Sequence, residues 1–179
     1  MSYAMTLKKE SVFSSSFLVS LLQVLGGSLF IALCAQIAIP TPFSPVPITG
    51  HTFAVLMVGC TLGSRKGALS VLAYLAEVCM GLPVLSAATI APWALLGPRG
   101  GYLIGMVAQA YLAGYVKERM LSSSRAVAVL LLACAVQLTL GVCMMANFMC
   151  FTQAFLVGML PFIPGEILKS LVVASTKRI

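Results

Sequence analysis

The sequence predicts an all-α membrane protein, with six transmembrane helices, both termini cytoplasmic, and residues 1–179 forming one integral membrane domain. Three observations predict it. The chain is 60% apolar and only 8% charged, against about 45–50% and roughly 25% in soluble domains. Its mean hydropathy of +1.06 leaves too little polar surface to face water. The apolar residues gather into runs, and basic residues collect between alternate pairs of runs. A spanning helix needs about 20 apolar residues, so the length admits six or seven spans and no separate soluble domain.

The first run covers about 17–39 and follows Lys8 and Lys9. It is longer than a signal peptide's apolar region of roughly 7–15 residues, and Leu33 before Cys34 is too large for a lipoprotein cleavage site. It reads as a retained first helix. The second run is short, about 52–62, and the third covers 68–85. The fourth covers 101–116, the fifth 126–149 and the sixth 154–174. No internal repeat is visible, which argues against the inverted-repeat transporter folds.

The connections fix the orientation. Residues 40–50 and 150–153 carry no charge. Lys8, Lys9, Arg65, Lys66, Lys117, Arg119, Arg125, Lys177 and Arg178 put nine of the eleven basic residues on one side. The positive-inside rule makes that side cytoplasmic. Arg99 and Lys169 break the pattern, and Glu77 and Glu166 lie within apolar runs. An ionisable group in a membrane costs about 2.5–3.5 kcal/mol on insertion scales and marks function by default.

Several classes are excluded. The basic residues flank apolar runs and form no stripe interleaved with aromatics, so no nucleic-acid partner is expected. Residues 63–67 have the residue types of a phosphate-cradling loop in the wrong spacing. The six cysteines, Cys34, Cys60, Cys79, Cys134, Cys143 and Cys150, sit in apolar stretches as small core residues. His51 has no ligand neighbour at metal spacing. No nucleophile–base pair is legible, so no catalytic residue, enzyme activity, metal or cofactor is expected.

Four segments carry candidate chemistry. Residues 40–47 hold four prolines and form a stiff extended loop, followed by Thr49 and His51 at the mouth of the second run. Residues 81–101 form a long outer connection with Thr89 and the only tryptophan, Trp93. Arg99 stands at the N-terminal end of the fourth run, where free N–H groups and the helix dipole already favour an anion. Its bidentate fork makes that end a carboxylate receptor. Pro161, Pro164 and Gly165 interrupt the last run, and Glu166 and Lys169 follow on one helical face. Small residues four apart, at Gly59/Gly63, Gly101/Gly105, Ala110/Gly114 and Ser28/Ala32, let helices approach closely.

In order, the chain carries Pro45-Val46-Pro47-Ile48-Thr49, Gly63-Ser64-Arg65-Lys66-Gly67-Ala68, Tyr74, Gly81-Leu82-Pro83-Val84, Gly97-Pro98-Arg99-Gly100-Gly101-Tyr102 and Pro161-Phe162-Ile163-Pro164-Gly165 with Lys169. This series resembles the BioY family, the biotin-binding S components of energy-coupling factor (ECF) transporters, over residues 40–170. The resemblance implies an S-component-like bundle in the bacterial cytoplasmic membrane, crossing it several times. It implies biotin as ligand, and a transmembrane coupling protein with ATPase subunits as partners. The expected substrate-binding residues are Arg99 for the carboxylate and Glu166 for the ureido N–H groups. Lys169 is expected to serve the ureido oxygen or the carboxylate. Thr49, His51, Tyr74, Thr89 and Trp93 complete the set. The chain departs from the family pattern at His51, at 86–93, at Arg99 and at Glu166. Import of another carboxylate-bearing vitamin, or uptake without ATPases, is the competing reading.

Overall fold

The computed structural model describes residues 2–39 and 46–176, with side chains from residue 16 onward. The side chains of Lys8 and Lys9, most of the proline loop and the basic C-terminal residues Lys177 and Arg178 lie outside the described residues. The described residues fold into seven α-helices: α1 Ser2–Ala35, α2 His51–Leu62, α3 Ser64–Cys79, α4 Gly100–Glu118, α5 Ser123–Met145, α6 Phe151–Gly158 and α7 Ile163–Thr176. Two two-residue strands, β1 Ala38–Ile39 and β2 Ile48–Thr49, pair antiparallel, with Ala38 opposite Thr49. They bring the end of α1 beside the start of α2.

Among the described residues, two helices are long and apolar enough to cross a membrane, Ser16–Ala35 and Ser123–Met145. α6 and α7 together make a third candidate, bent by 44° at the break between them. Pro161 lies in that break, where its missing N–H cannot continue the α6 ladder, and Pro164 fits the first turn of α7. The bundle keeps an apolar core, but its exterior is apolar as well and a few polar side chains lie inside. Leu22 and Leu168 are 69% and 64% exposed, while Gln109, Gln137, Glu166 and Ser170 are buried. An apolar exterior, with the polar side chains turned inward, suits lipid as solvent.

α4 is the central helix, packed against α2, α3 and α5. Small residues allow it. A Cβ on Gly59 would come within 2.6 Å of the Ala110 carbonyl oxygen, and one on Gly114 would strike the Ser64 backbone. On its other side, a Cβ on Gly105 would sit 3.0 Å from the Gln137 Cα. Gly63 has a different task. It is the single residue between α2 and α3, and its φ of +92° is one that side chains rarely adopt.

The C-terminal end of α4 secures that joint. Glu118 Oε1 accepts the Ser64 N–H at 2.8 Å, and the Lys117 ammonium donates to the Thr61 carbonyl. A carboxylate at the start of α3 and an ammonium at the end of α2 each oppose the adjacent helix dipole. Glu77, whose partner the sequence left open, accepts a hydrogen bond from Ser28 and ties α3 to α1.

Candidate functional site

The opposite ends of α2 and α4 border a cavity. The α3–α4 connection supplies most of its wall, folded as two short 3-10 turns, Ser86–Ala88 and Pro92–Leu95. In the first turn Ala87 and Ala88 have φ of 55° and 52°. The left-handed region costs an L-residue about 1–2 kcal/mol. Two consecutive positive φ values at the centre of a tight turn are normally a task for Gly or Asn. Within the turn, the Thr89 hydroxyl and N–H both donate to the Ser86 carbonyl, at 2.7 and 3.3 Å. Gln36, the residue after α1, reaches across to the turn. Its Nε2 donates to the carbonyls of Ala32 at 3.1 Å and Leu85 at 3.3 Å, and its Oε1 accepts the Ala88 N–H at 2.8 Å.

The cavity has a volume of about 260 Å³, near the lower end of small-molecule sites. Thr49, His51, Thr89, Trp93 and Arg99 line it, with Tyr102, Leu103 and Met106 as its floor. Thr89, Trp93 and Arg99 are exposed and form its lip. Arg99 occupies the N-cap position of α4, so its guanidinium and the helix dipole act at one end of the cavity.

A second cavity of about 40 Å³ shares Val46, Pro47, Thr49, Tyr102 and Met106 with the first. Glu166, Lys169, Thr52 and Gln137 line it. The Lys169 ammonium donates to Glu166 Oε1 at 3.0 Å, to the Thr52 hydroxyl at 2.7 Å and to the Thr49 carbonyl at 3.0 Å. The Thr52 hydroxyl in turn donates to Glu166 Oε1 at 2.7 Å. The three ammonium hydrogens are thereby engaged. Glu166 Oε2 and Gln137 Oε1 are buried without a protein partner. Two acceptors with no donor, beside one cavity, are a costly arrangement unless a ligand supplies N–H groups.

His51 and Tyr74 form a buttress. The Tyr74 hydroxyl lies 2.6 Å from His51 Nε2 and 3.2 Å from the Val84 carbonyl, and Thr49 Oγ1 lies 2.9 Å from His51 Nδ1. One arrangement of hydrogens satisfies all three contacts. Thr49 donates to Nδ1, Nε2–H donates to Tyr74, and Tyr74 donates to Val84. The rings meet edge to face with centroids 5.5 Å apart.

Seven of the eight expected residues therefore border two adjoining cavities. Arg99, Thr89, Trp93 and His51 line the larger, Glu166 and Lys169 the smaller, and Thr49 both. Tyr74 lines neither and reaches the site through His51. Sequence reasoning missed Thr52, Gln137 and Gln36. A glutamine in the middle of the apolar 126–149 run was the available signal for Gln137, because a polar side chain within a membrane span usually faces the bundle interior.

Fold and site together define a helical membrane bundle with a ligand cavity, polar at its ends and apolar along its floor. The BioY family profile matches residues 6–178, and the chain belongs to the BioY family. It is 33% identical over 162 residues to the biotin transporter BioY of Rhizobium etli, covering 82% of this chain and 86% of that one. Against the probable biotin transporter BioY of Pyrococcus horikoshii it is 35% identical, covering 80% of this chain and 86% of that one. The crystal structure of the S component for biotin from an ECF-type ABC transporter superposes with a TM-score of 0.82 at 25% identity, covering 92% and 91% of the two chains.

Proposed function

We propose that this chain is the biotin-binding S component of an ATP-driven ECF importer. It is a transport protein and not an enzyme. The observation that carries the ligand assignment is the pair of buried acceptors, Glu166 Oε2 and Gln137 Oε1, beside the small cavity. Biotin's ureido ring offers two N–H donors to such a pair. In this reading the apolar bicycle lies over Tyr102, Leu103 and Met106, and the valerate tail runs toward Arg99. Lys169 then belongs to the ureido end, because it is bonded to Glu166 and Thr52. Tyr74 acts by holding His51, and Thr49, Thr89 and Trp93 shape the wall.

The test is labelled-biotin binding to the purified chain in nanodiscs, without ATP, with other carboxylate-bearing vitamins as competitors. Saturable binding displaced by biotin alone is expected. Concentrative uptake is expected only when coupling and ATPase proteins are added. Displacement by another vitamin at lower concentration would overturn the biotin assignment, and ATP hydrolysis by the chain alone would overturn the partnership.

The membrane arrangement in this proposal has six spans, with α6 and α7 counted as one broken span. Both termini, residues 63–67 and residues 117–125 face the cytoplasm of a bacterial cell, and residues 40–50 and 86–98 face outward. The basic residues Arg65, Lys66, Lys117, Arg119 and Arg125 support it. In a background with the six native cysteines replaced, Ser122→Cys should react with an impermeant thiol reagent only after the cells are opened. Labelling of that position on intact cells contradicts the orientation.

A further inference from the structure

The turn at Ser86–Thr89 presents two residues to the large cavity, Ser86 and Thr89, on either side of two alanines in left-handed backbone. Nothing in alanine favours that conformation. Besides the Thr89 bonds to the Ser86 carbonyl, a side chain from elsewhere in the chain opposes its relaxation. Gln36 takes the Ala88 N–H on its oxygen and gives an amide hydrogen to the Leu85 carbonyl. One contact precedes the strained pair and the other falls on its second member, and they span 49 and 52 residues of sequence. Gln36 is itself exposed at the end of α1. At the rim of a lipid-facing bundle, an amide so placed is drawn to internal partners.

We propose that Gln36 is a positioning residue for ligand binding. It clamps the Ser86–Thr89 turn in its left-handed form and so sets the outer wall of the cavity from the end of α1. Its identification as a biotin wall rests on the function proposed above. The clamp itself is independent of which ligand fills the cavity. Gln36 touches no cavity surface, so its effect passes through Ser86 and Thr89.

The experiment compares four proteins in nanodiscs: the natural chain, Gln36→Leu, Ala87→Gly/Ala88→Gly, and the triple variant. Leucine keeps the bulk and suits lipid, so the bundle should fold. Two readouts are taken, labelled-biotin affinity and the emission of Trp93 in the ligand-free protein. Trp93 is the chain's only tryptophan and lies on the same connection. Gln36→Leu should weaken biotin about tenfold, as expected for two lost hydrogen bonds, and shift the Trp93 emission. The glycine pair alone should stay near the natural affinity. The triple variant should recover most of the loss, because glycine takes left-handed backbone without a clamp.

A role confined to capping α1 through the Ala32 carbonyl predicts no recovery by glycines 50 residues away, and that result overturns the proposal. So does an unchanged affinity and unchanged Trp93 emission in Gln36→Leu. If the natural chain binds no biotin, the function assignment fails. The Trp93 comparison across the four proteins then still decides the clamp.

Discussion

Lys169→Met is expected to lower the stability of the folded bundle by about 3–5 kcal/mol, the cost of leaving one member of a buried ion pair without the other. Methionine preserves the stem, so the loss reports the charge and its hydrogen bonds. Three bonds go at once, to Glu166, Thr52 and the Thr49 carbonyl. Glu166 is 3% exposed and keeps the Thr52 hydroxyl on Oε1 and the weak Cys134 thiol beside its carboxylate, with no standard hydrogen bond on Oε2. Lys169→Met/Glu166→Gln recovers much of the stability, because no lone charge remains and an amide oxygen still accepts from Thr52. Thermal unfolding in detergent measures both. Biotin and biotin amide should weaken alike in both variants, since the ureido end is damaged and the tail end is not. An unchanged melting temperature in Lys169→Met would mean that the pair contributes nothing net, and a loss confined to biotin itself would move Lys169 to the tail.

Arg99→Ala separates the same two ligands in the opposite way. A hydrogen bond to a charged group contributes about 1.5–3 kcal/mol, so biotin should weaken roughly ten- to a hundredfold. Biotin amide carries no charge for the guanidinium to meet and should weaken much less. Arg99 lies on the exposed lip, so its removal should leave the unfolding temperature nearly unchanged. Equal affinities for both ligands, before and after the substitution, would make Arg99 an anchor at the membrane interface rather than a ligand contact.

The helical fold was legible because its signal is local. Apolar runs mark helices, and Pro161 and Pro164 mark the break between α6 and α7. The Glu166–Lys169 pair was legible for the same reason. Three residues of helix put the two side chains on one face, and they meet at 3.0 Å. The rest of the site is made by distant segments. Thr52 and Glu166 are 114 positions apart and meet at 2.7 Å, a contact that no spacing rule encodes. Tyr74 carried the right residue type, but its hydroxyl points to His51 and Val84 rather than into the cavity. Ala87 and Ala88 gave no sign of left-handed backbone, because the usual signal for such a turn is glycine or asparagine.

The joint between α2 and α3 has a consequence for traffic through the cavity. Glu118 and Lys117 clasp that end of the bundle, and Gly59, Ala110 and Gly114 leave no gap between α2, α3 and α4. The candidate ligand cavity lies at the far ends of α2 and α4, under a lip of Thr89, Trp93 and Arg99. The bundle is therefore a cup rather than a tube. In the function proposed above, ligand arrives and departs over one rim, and an obstacle on a shared path slows both journeys by the same factor. Bulk added at the rim without touching the bound ligand changes residence time and capture rate together, and leaves the equilibrium between full and empty cups where it was.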